Sequence, residues 1–400
     1  MPSIRQLYLD HVAQTSSMPL LLEVERASGI FIWDTSGKRY YDMNSGIAVS
    51  SLGHCHPNVV SAIQDQAATY MHTMVYGEHV HNPQVRFATL LTEQLDSHFT
   101  SVYYLMSGTE ATELAMKIGR RHTGRYEIIA CKNAYHGSTL GAESLRSDHV
   151  YKDAFLPLVP GIRHMSFNHL EDLDKITTKT ACVICEVVQG EAGVIPPNPE
   201  FLLQLRERCS ETGSLLVFDE IQSGFGRTGR LFAHQKYNVT PDLLLIGKAM
   251  GGGMPISGVV GPGSIMASIV KNPALGHITT FGGHPVSVAA AHAMLETLLS
   301  EKLVESVAEK EELIKRTLVH PVIKEVRSDG LMMAVEVTNR KYLKYVVSKA
   351  MELGVIVDYF LFNNRSFRLA PPLIITKQEI SEACALLLEA MDFAYNRFYK

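Results

Sequence analysis

Through the middle of the chain, short β-branched and aliphatic runs alternate with stretches whose apolar residues recur at spacings of three and four. YEIIAC (126–131), ACVICEVV (181–188), LLVFDEI (215–221), LLLIGKA (243–249) and SGVVGP (257–262) predict strands. Each run is apolar almost throughout, which requires cover on both faces and predicts a mainly parallel α/β sheet flanked by helices. Helices are expected at 109–121, 199–212 and 285–301. Early in the chain, GIFIWDTSGKRYYDM (29–43) predicts a hairpin with SGK as its turn. Beyond about residue 300 a charged helical stretch leads to EVRSDGLMMAVEV (325–337) and SFRLAPPLII (366–375), a strand and helix mixture that predicts a smaller α+β domain. The expected division is an N-terminal segment, 1–50, packing with the small domain, a large domain, 51–285, and the small domain itself, 286–400.

Composition narrows the function classes. The chain has 400 residues, 46% hydrophobic and 20% charged, the balance of a globular protein and not of a disordered chain or a coiled coil. A net charge of −4 with no dense Lys/Arg run argues against nucleic acid as a partner. There is no apolar run long enough to span a bilayer and no apolar core in MPSIRQLYLDHVAQ, so no membrane association and a cytoplasmic location are expected. Six scattered cysteines suggest reduced thiols. Cys182 and Cys185 stand three apart on a strand, so they face opposite ways and read as core. His54 and His56 lie in a turn without other ligands, and no metal is expected.

In an open α/β sheet, ligands sit outside the carboxyl ends of the strands. Asp219 ends LLVFD, and Lys248 follows LLLIG just ahead of a glycine-rich turn. Partial desolvation at such a place turns a lysine into a nucleophilic amine. In MSGTEATELAMK, Ser107 and Glu110 match a capping box, which makes Ser107, Gly108 and Thr109 a helix N-terminus suited to a phosphate monoester. The segment lacks a P-loop lysine, so a nucleoside triphosphate is not indicated.

LGHCHP, SGTEA, YHGST, EVVQGEAGVIPP, VFDEIQSGFGRTG, GKAMGGGMP, TTFGGHP and FRLAPPLI, in that order along almost the whole chain, resemble the class III pyridoxal-phosphate aminotransferases of fold type I, the acetylornithine and ornithine aminotransferase group. The resemblance implies pyridoxal 5′-phosphate as cofactor, held as a Schiff base by Lys248, with Asp219 against the pyridine nitrogen and Gln222 near the phenolic oxygen. It implies Tyr135 as the ring stacked on the cofactor, His136 beside it, and Ser107, Gly108 and Thr109 around its phosphate. Thr280 resembles a threonine that reaches the phosphate from a neighbouring subunit, implying a homodimer with shared active sites. Arg368 resembles the arginine that binds an α-carboxylate, Glu191 its alternative partner when a diamino substrate arrives, and Thr279 and Ser138 complete the substrate set.

The pattern has departures. Ser138 stands where many relatives carry a carboxylate-binding arginine, leaving one neutral donor in place of a cationic fork; Arg146 or another cation is expected to compensate. His284 replaces an asparagine and Val187 a proline. The implied activity is ping-pong transfer of an amino group from an acetylornithine- or ornithine-like donor to a 2-oxo acid such as 2-oxoglutarate. An isomerase on the same scaffold, an aminomutase or racemase, is the alternative.

Overall fold

The computed structural model describes residues 2–399. Near the N-terminus β1 (Val24–Ser28), β2 (Phe31–Asp34) and β3 (Arg39–Asp42) form an antiparallel meander, whose second turn is the expected hairpin. The Asp34 carboxylate accepts the Ser36 and Lys38 amides at 2.9 and 3.0 Å and pins that turn.

A seven-stranded sheet follows, built from β4 (Ser101–Leu105), β5 (Glu127–Cys131), β6 (Ile162–Met165), β7 (Thr180–Glu186), β8 (Leu215–Asp219), β9 (Leu243–Ile246) and β10 (Ser257–Gly261), in the order β4-β10-β9-β8-β7-β5-β6. Neighbouring pairs from β9 to β6 are parallel; β10 alone runs antiparallel to β4 and β9. Side chains alternate between two cores, as a period of two requires. Ile128, Ile184, Val217 and Leu245 enter one core, and Ile129, Val183, Phe218 and Leu244 enter the other. Cys182 and Cys185 divide in the same way, and all six cysteines are unpaired. The edge strands β4 and β6 were not predicted. Only partly buried along their length, SVYYL and IRHM lack the continuous apolar run that marks the fully buried strands.

Toward the C-terminus β11 (Ile323–Asp329), β12 (Met332–Val337), β13 (Val355–Ile356), β14 (Asp358–Tyr359) and β15 (Ser366–Leu369) complete the strands. Four of them form an antiparallel sheet, β11-β12-β15-β14, which places Arg368 between Ala334 and Asp358. The fifth, β13, pairs in parallel with β3 and so joins the N-terminal meander to the C-terminal part of the chain. The helix Pro285–Ser300 packs on helices Pro57–Thr69 and Asn82–Thr92 and on the turn that begins at Lys248. Among the described residues no helix is long and apolar enough to cross a membrane, and no cluster of His, Cys, Asp and Glu could hold a metal ion.

Candidate active site

Three strand ends and one helix start converge on a cavity of about 460 Å³, within the usual range for a small-molecule site. Its walls include Gly108, Thr109, Tyr135, His136, Ser138, Glu186, Glu191, Asp219, Gln222 and Lys248. Glu186 and Asp219 are register partners at the ends of β7 and β8, and Lys248 lies two residues beyond β9.

The helix Gly108–Thr123 starts with the expected reciprocal cap: Ser107 Oγ accepts the Glu110 amide, and Glu110 Oε2 accepts the Ser107 amide at 3.0 Å. First-turn amides of a helix have no intrahelical partner and carry the positive end of its dipole, so the Gly108–Thr109 wall suits an anion. Thr109 Oγ1 also accepts the Thr139 amide at 3.2 Å, drawing the following loop onto the helix start. Gly137 permits that approach: its φ is +131°, and a Cβ there would lie 2.3 Å from Thr109 Oγ1.

Asp219 is buried. Its Oδ2 accepts from His136 Nδ1 at 2.7 Å and its Oδ1 accepts the Ile221 amide at 3.0 Å. Since an ionised carboxylate only accepts, the imidazole proton sits on Nδ1. Burial alone would lower the His136 pKa, but the hydrogen bond to Asp219 and its charge outweigh burial and raise it. Nε2 of His136 is buried without a partner.

Lys248 takes a left-handed backbone conformation, φ +45°, which costs a side-chain-bearing residue on the order of 1–2 kcal/mol. Such strain concentrates at functional positions. Burial, reinforced by the charge of Arg368, brings its amine down to about 8. A substantial fraction is therefore neutral near physiological pH.

Arg368 and Glu191 form a tight buried ion pair, and Glu191 Oε2 also accepts the Leu361 amide at 3.1 Å. Nε and Nη1 of Arg368 are buried without partners, so the guanidinium keeps donors in reserve. Tyr135 hydroxyl and Ser138 Oγ are 3.1 Å apart. Arg146 is not an available substitute for the missing arginine. Its Nη1 pairs with Glu143 at 3.1 Å and its Nε with Asp148 at 3.1 Å, while its Cζ stands 4.6 Å from the Tyr151 ring. Thr279 and Thr280 do not belong to this cavity's walls, and Thr280 is exposed.

The donors assembled here fit a phosphorylated pyridine aldehyde: a helix start for the phosphate, an aromatic face, a buried carboxylate and a partly neutral amine, all on one cavity. A sequence profile described as aminotransferase class-III matches residues 12–391. The chain belongs to the class-III aminotransferases. It is similar to a [LysW]-aminoadipate semialdehyde/glutamate semialdehyde transaminase of Sulfolobus acidocaldarius, 37% identical over 92% of this chain and 95% of that one. An acetylornithine aminotransferase of Clostridium acetobutylicum is also 37% identical, with 92% and 95% covered. Among solved structures, the ornithine aminotransferase of Toxoplasma gondii superposes with a TM-score of 0.91 at 31% identity, covering 99% of this chain and 95% of that one. This enzyme is thus a pyridoxal-phosphate-dependent transaminase of fold type I, and the comparisons give no support to an isomerase.

Of the residues on this aminotransferase's cavity that carry no assignment from the sequence, Glu186 and Ile221 shape the site most directly. Glu186 closes an apolar strand, where a carboxylate reads as a surface charge, yet it is 6% exposed and lines the site. Ile221 packs under Gly108, where a Cβ would sit 3.0 Å from Ile221 Cδ1, and only the fold brings the two together. The signal for Glu186 was its position, at a strand's carboxyl end like Asp219.

Proposed function

We propose that this transaminase moves an amino group from an ornithine-like amino acid or terminal amine to a 2-oxo acid, with Lys248 and Asp219 as its catalytic residues. The observation that supports this most is a buried carboxylate and a lysine of lowered pKa on the walls of one cavity that also contains a helix N-terminus. Pyridoxal 5′-phosphate, when bound, supplies an aldehyde for the Lys248 amine and a ring that accepts electron density as the substrate Cα–H breaks. Gly108, Thr109 and the Ser107 turn would hold the phosphate, and Tyr135 would lie against the ring. Asp219, oriented by His136, would keep the ring nitrogen cationic, and Gln222 would meet the phenolic oxygen. Lys248 Nζ, as a neutral amine, would take the proton from the substrate carbon that bears the amino group and hold it for return on the same face. Arg368, through its unpartnered Nε and Nη1, binds an α-carboxylate once Glu191 turns aside; with the pair closed, Arg368 is neutralised and a diamino substrate presents its distal amine instead. Borohydride reduction and peptide mapping test the reading: label belongs on Lys248, and label on a different lysine would refute it.

The proposal extends to a homodimer in which Thr280 reaches the phosphate held by a second copy, with Thr279 on the substrate side. This is supported by the exposure of Thr280 and its absence from the walls of its own chain's cavity. The six free thiols fit operation in the reducing cytoplasm.

The pH dependence follows from Lys248. Only the neutral amine attacks an aldehyde, and the charged form predominates below about 8. Uptake of pyridoxal phosphate by the apoprotein is therefore expected to quicken with rising pH and level off above that value, read by stopped-flow absorbance. A rate that falls across this range would remove Lys248 as the acceptor.

Ser138 bears on the acceptor. With Arg146 already neutralised by Glu143 and Asp148, that wall offers a second substrate carboxylate only neutral donors. Ser138→Arg is expected to raise kcat/KM for 2-oxoglutarate relative to pyruvate by about 10- to 100-fold, the worth of a charge-assisted hydrogen bond. An unchanged ratio would place the second carboxylate elsewhere.

A further inference from the structure

Glu186 does something that none of the assigned roles covers. Its Oε1 accepts the Tyr135 amide at 3.0 Å and its Oε2 accepts the Gly190 amide at 2.7 Å. Those amides belong to different loops. One follows β5 and carries Tyr135, His136 and Ser138, while the other follows β7 and carries Glu191. Gly190 is pressed onto the cofactor side of the site, since a Cβ there would lie 2.7 Å from Gln222 Oε1. A few tenths of an ångström at either amide therefore shift the aromatic face, the Gln222 side chain or the carboxylate that pairs with Arg368.

We propose that Glu186 is a positioning residue whose carboxylate ties the Tyr135 loop to the Glu191 loop, and that protonating it releases one of the two. The inference rests on the roles proposed above for Tyr135 and Glu191. A carboxylate offers both oxygens as strong acceptors, so two charge-assisted bonds hold two loops. Once protonated, one oxygen becomes a hydroxyl and a poor acceptor, and only the carbonyl oxygen still grips well. The charged and titratable groups acting on it are His136 and Asp219, with Lys248 and the Cys185 thiol also coupled to its charge. Burial pushes the Glu186 carboxyl up to about 7 against the pull of His136, so the change of state falls in the working range. A carboxylate that merely filled a buried polar site would hold both loops alike at every pH.

Hydrogen exchange of the holoenzyme, followed on peptides covering 132–139 and 187–193, separates these cases, measured a unit below and a unit above pH 7 and corrected for intrinsic exchange. In the wild type, one of the two loops is expected to exchange about tenfold or more faster at the lower pH, the loss of one charge-assisted bond. Glu186→Gln, with a single acceptor oxygen, should show the fast state at both pH values, and the pH step should vanish. Glu186→Asp retains the charge and hence a step, but its shorter arm leaves one loop fast throughout. A wild type without a step, or a Gln variant that keeps it, overturns the proposal. If the Gln variant fails to fold, the wild-type comparison and the Asp variant still decide. The Lys248 label is independent of all this: label present with unresponsive loops sinks only the tie, whereas label absent sinks the functional reading.

Discussion

Lys248→Ala is expected to lower kcat by about 10⁴-fold or more, because it removes both the amine that anchors the cofactor and the base that moves the Cα proton. Proton transfer by a positioned base alone is worth roughly 10²–10⁴, and the loss of covalent attachment adds to it. Folding should survive the change. A partly neutral lysine in a strained backbone conformation, φ +45°, contributes little that alanine cannot replace, and no carboxylate is left without its only partner. Glu191 retains Arg368 and the Leu361 amide, and Asp219 retains His136 and the Ile221 amide. The thermal midpoint of the apoprotein should therefore lie close to that of the wild type, while half-reactions with any amine donor, read from the cofactor's absorbance, become too slow to follow on the wild-type time scale. A variant that keeps more than about a hundredth of wild-type kcat would mean that another group does the proton transfer.

The second large effect belongs to Asp219→Asn. Asparagine keeps the shape and can still accept the Ile221 amide, but it removes a buried negative charge that faces His136 at 2.7 Å. Truncating one member of a buried, hydrogen-bonded charge pair costs about 2–5 kcal/mol, or roughly 30- to several-thousand-fold in rate if the ring nitrogen depends on it. The loss should fall on kcat more than on KM, since the carboxylate stabilises electron density that develops only during reaction. His136 supplies an independent readout. Its pKa is raised because the bond and charge of Asp219 outweigh burial, so in the variant the imidazole should titrate lower than in the wild type by NMR. The sign carries over to stability. A histidine raised from 6.5 contributes fully below that value and loses its contribution as pH climbs through the folded-state pKa. The stability difference between wild type and Asp219→Asn should accordingly shrink as pH rises. A His136 titration that does not move would uncouple the pair and remove the reason for the predicted kinetic loss.

The central strands and the helix Gly108–Thr123 were legible because their signals are local. A run such as LLVFD or LLLI is apolar on both faces, and Ser107 with Glu110 declares a helix start within four residues. Lys248 and Asp219 could be singled out for the same reason, since each follows such a run and strand ends are where open sheets bind ligands. The edge strands β4 and β6 escaped because half-buried strands dilute their apolar pattern.

What residues far apart in the chain do to one another had to wait for the fold. Arg146 looked like a spare cation, yet Glu143 and Asp148 already neutralise it. Glu186 drew no assignment from the sequence, yet the pairing of β7 with β8 sets it beside Asp219, and two loops bring their amides to it. Composition and periodicity determine which segments become buried strands and capped helices, because burial and capping act between residues close in sequence. Charge compensation, desolvation and shared hydrogen bonds depend on distance in space, and only the tertiary structure decides which side chains keep a free valence for chemistry.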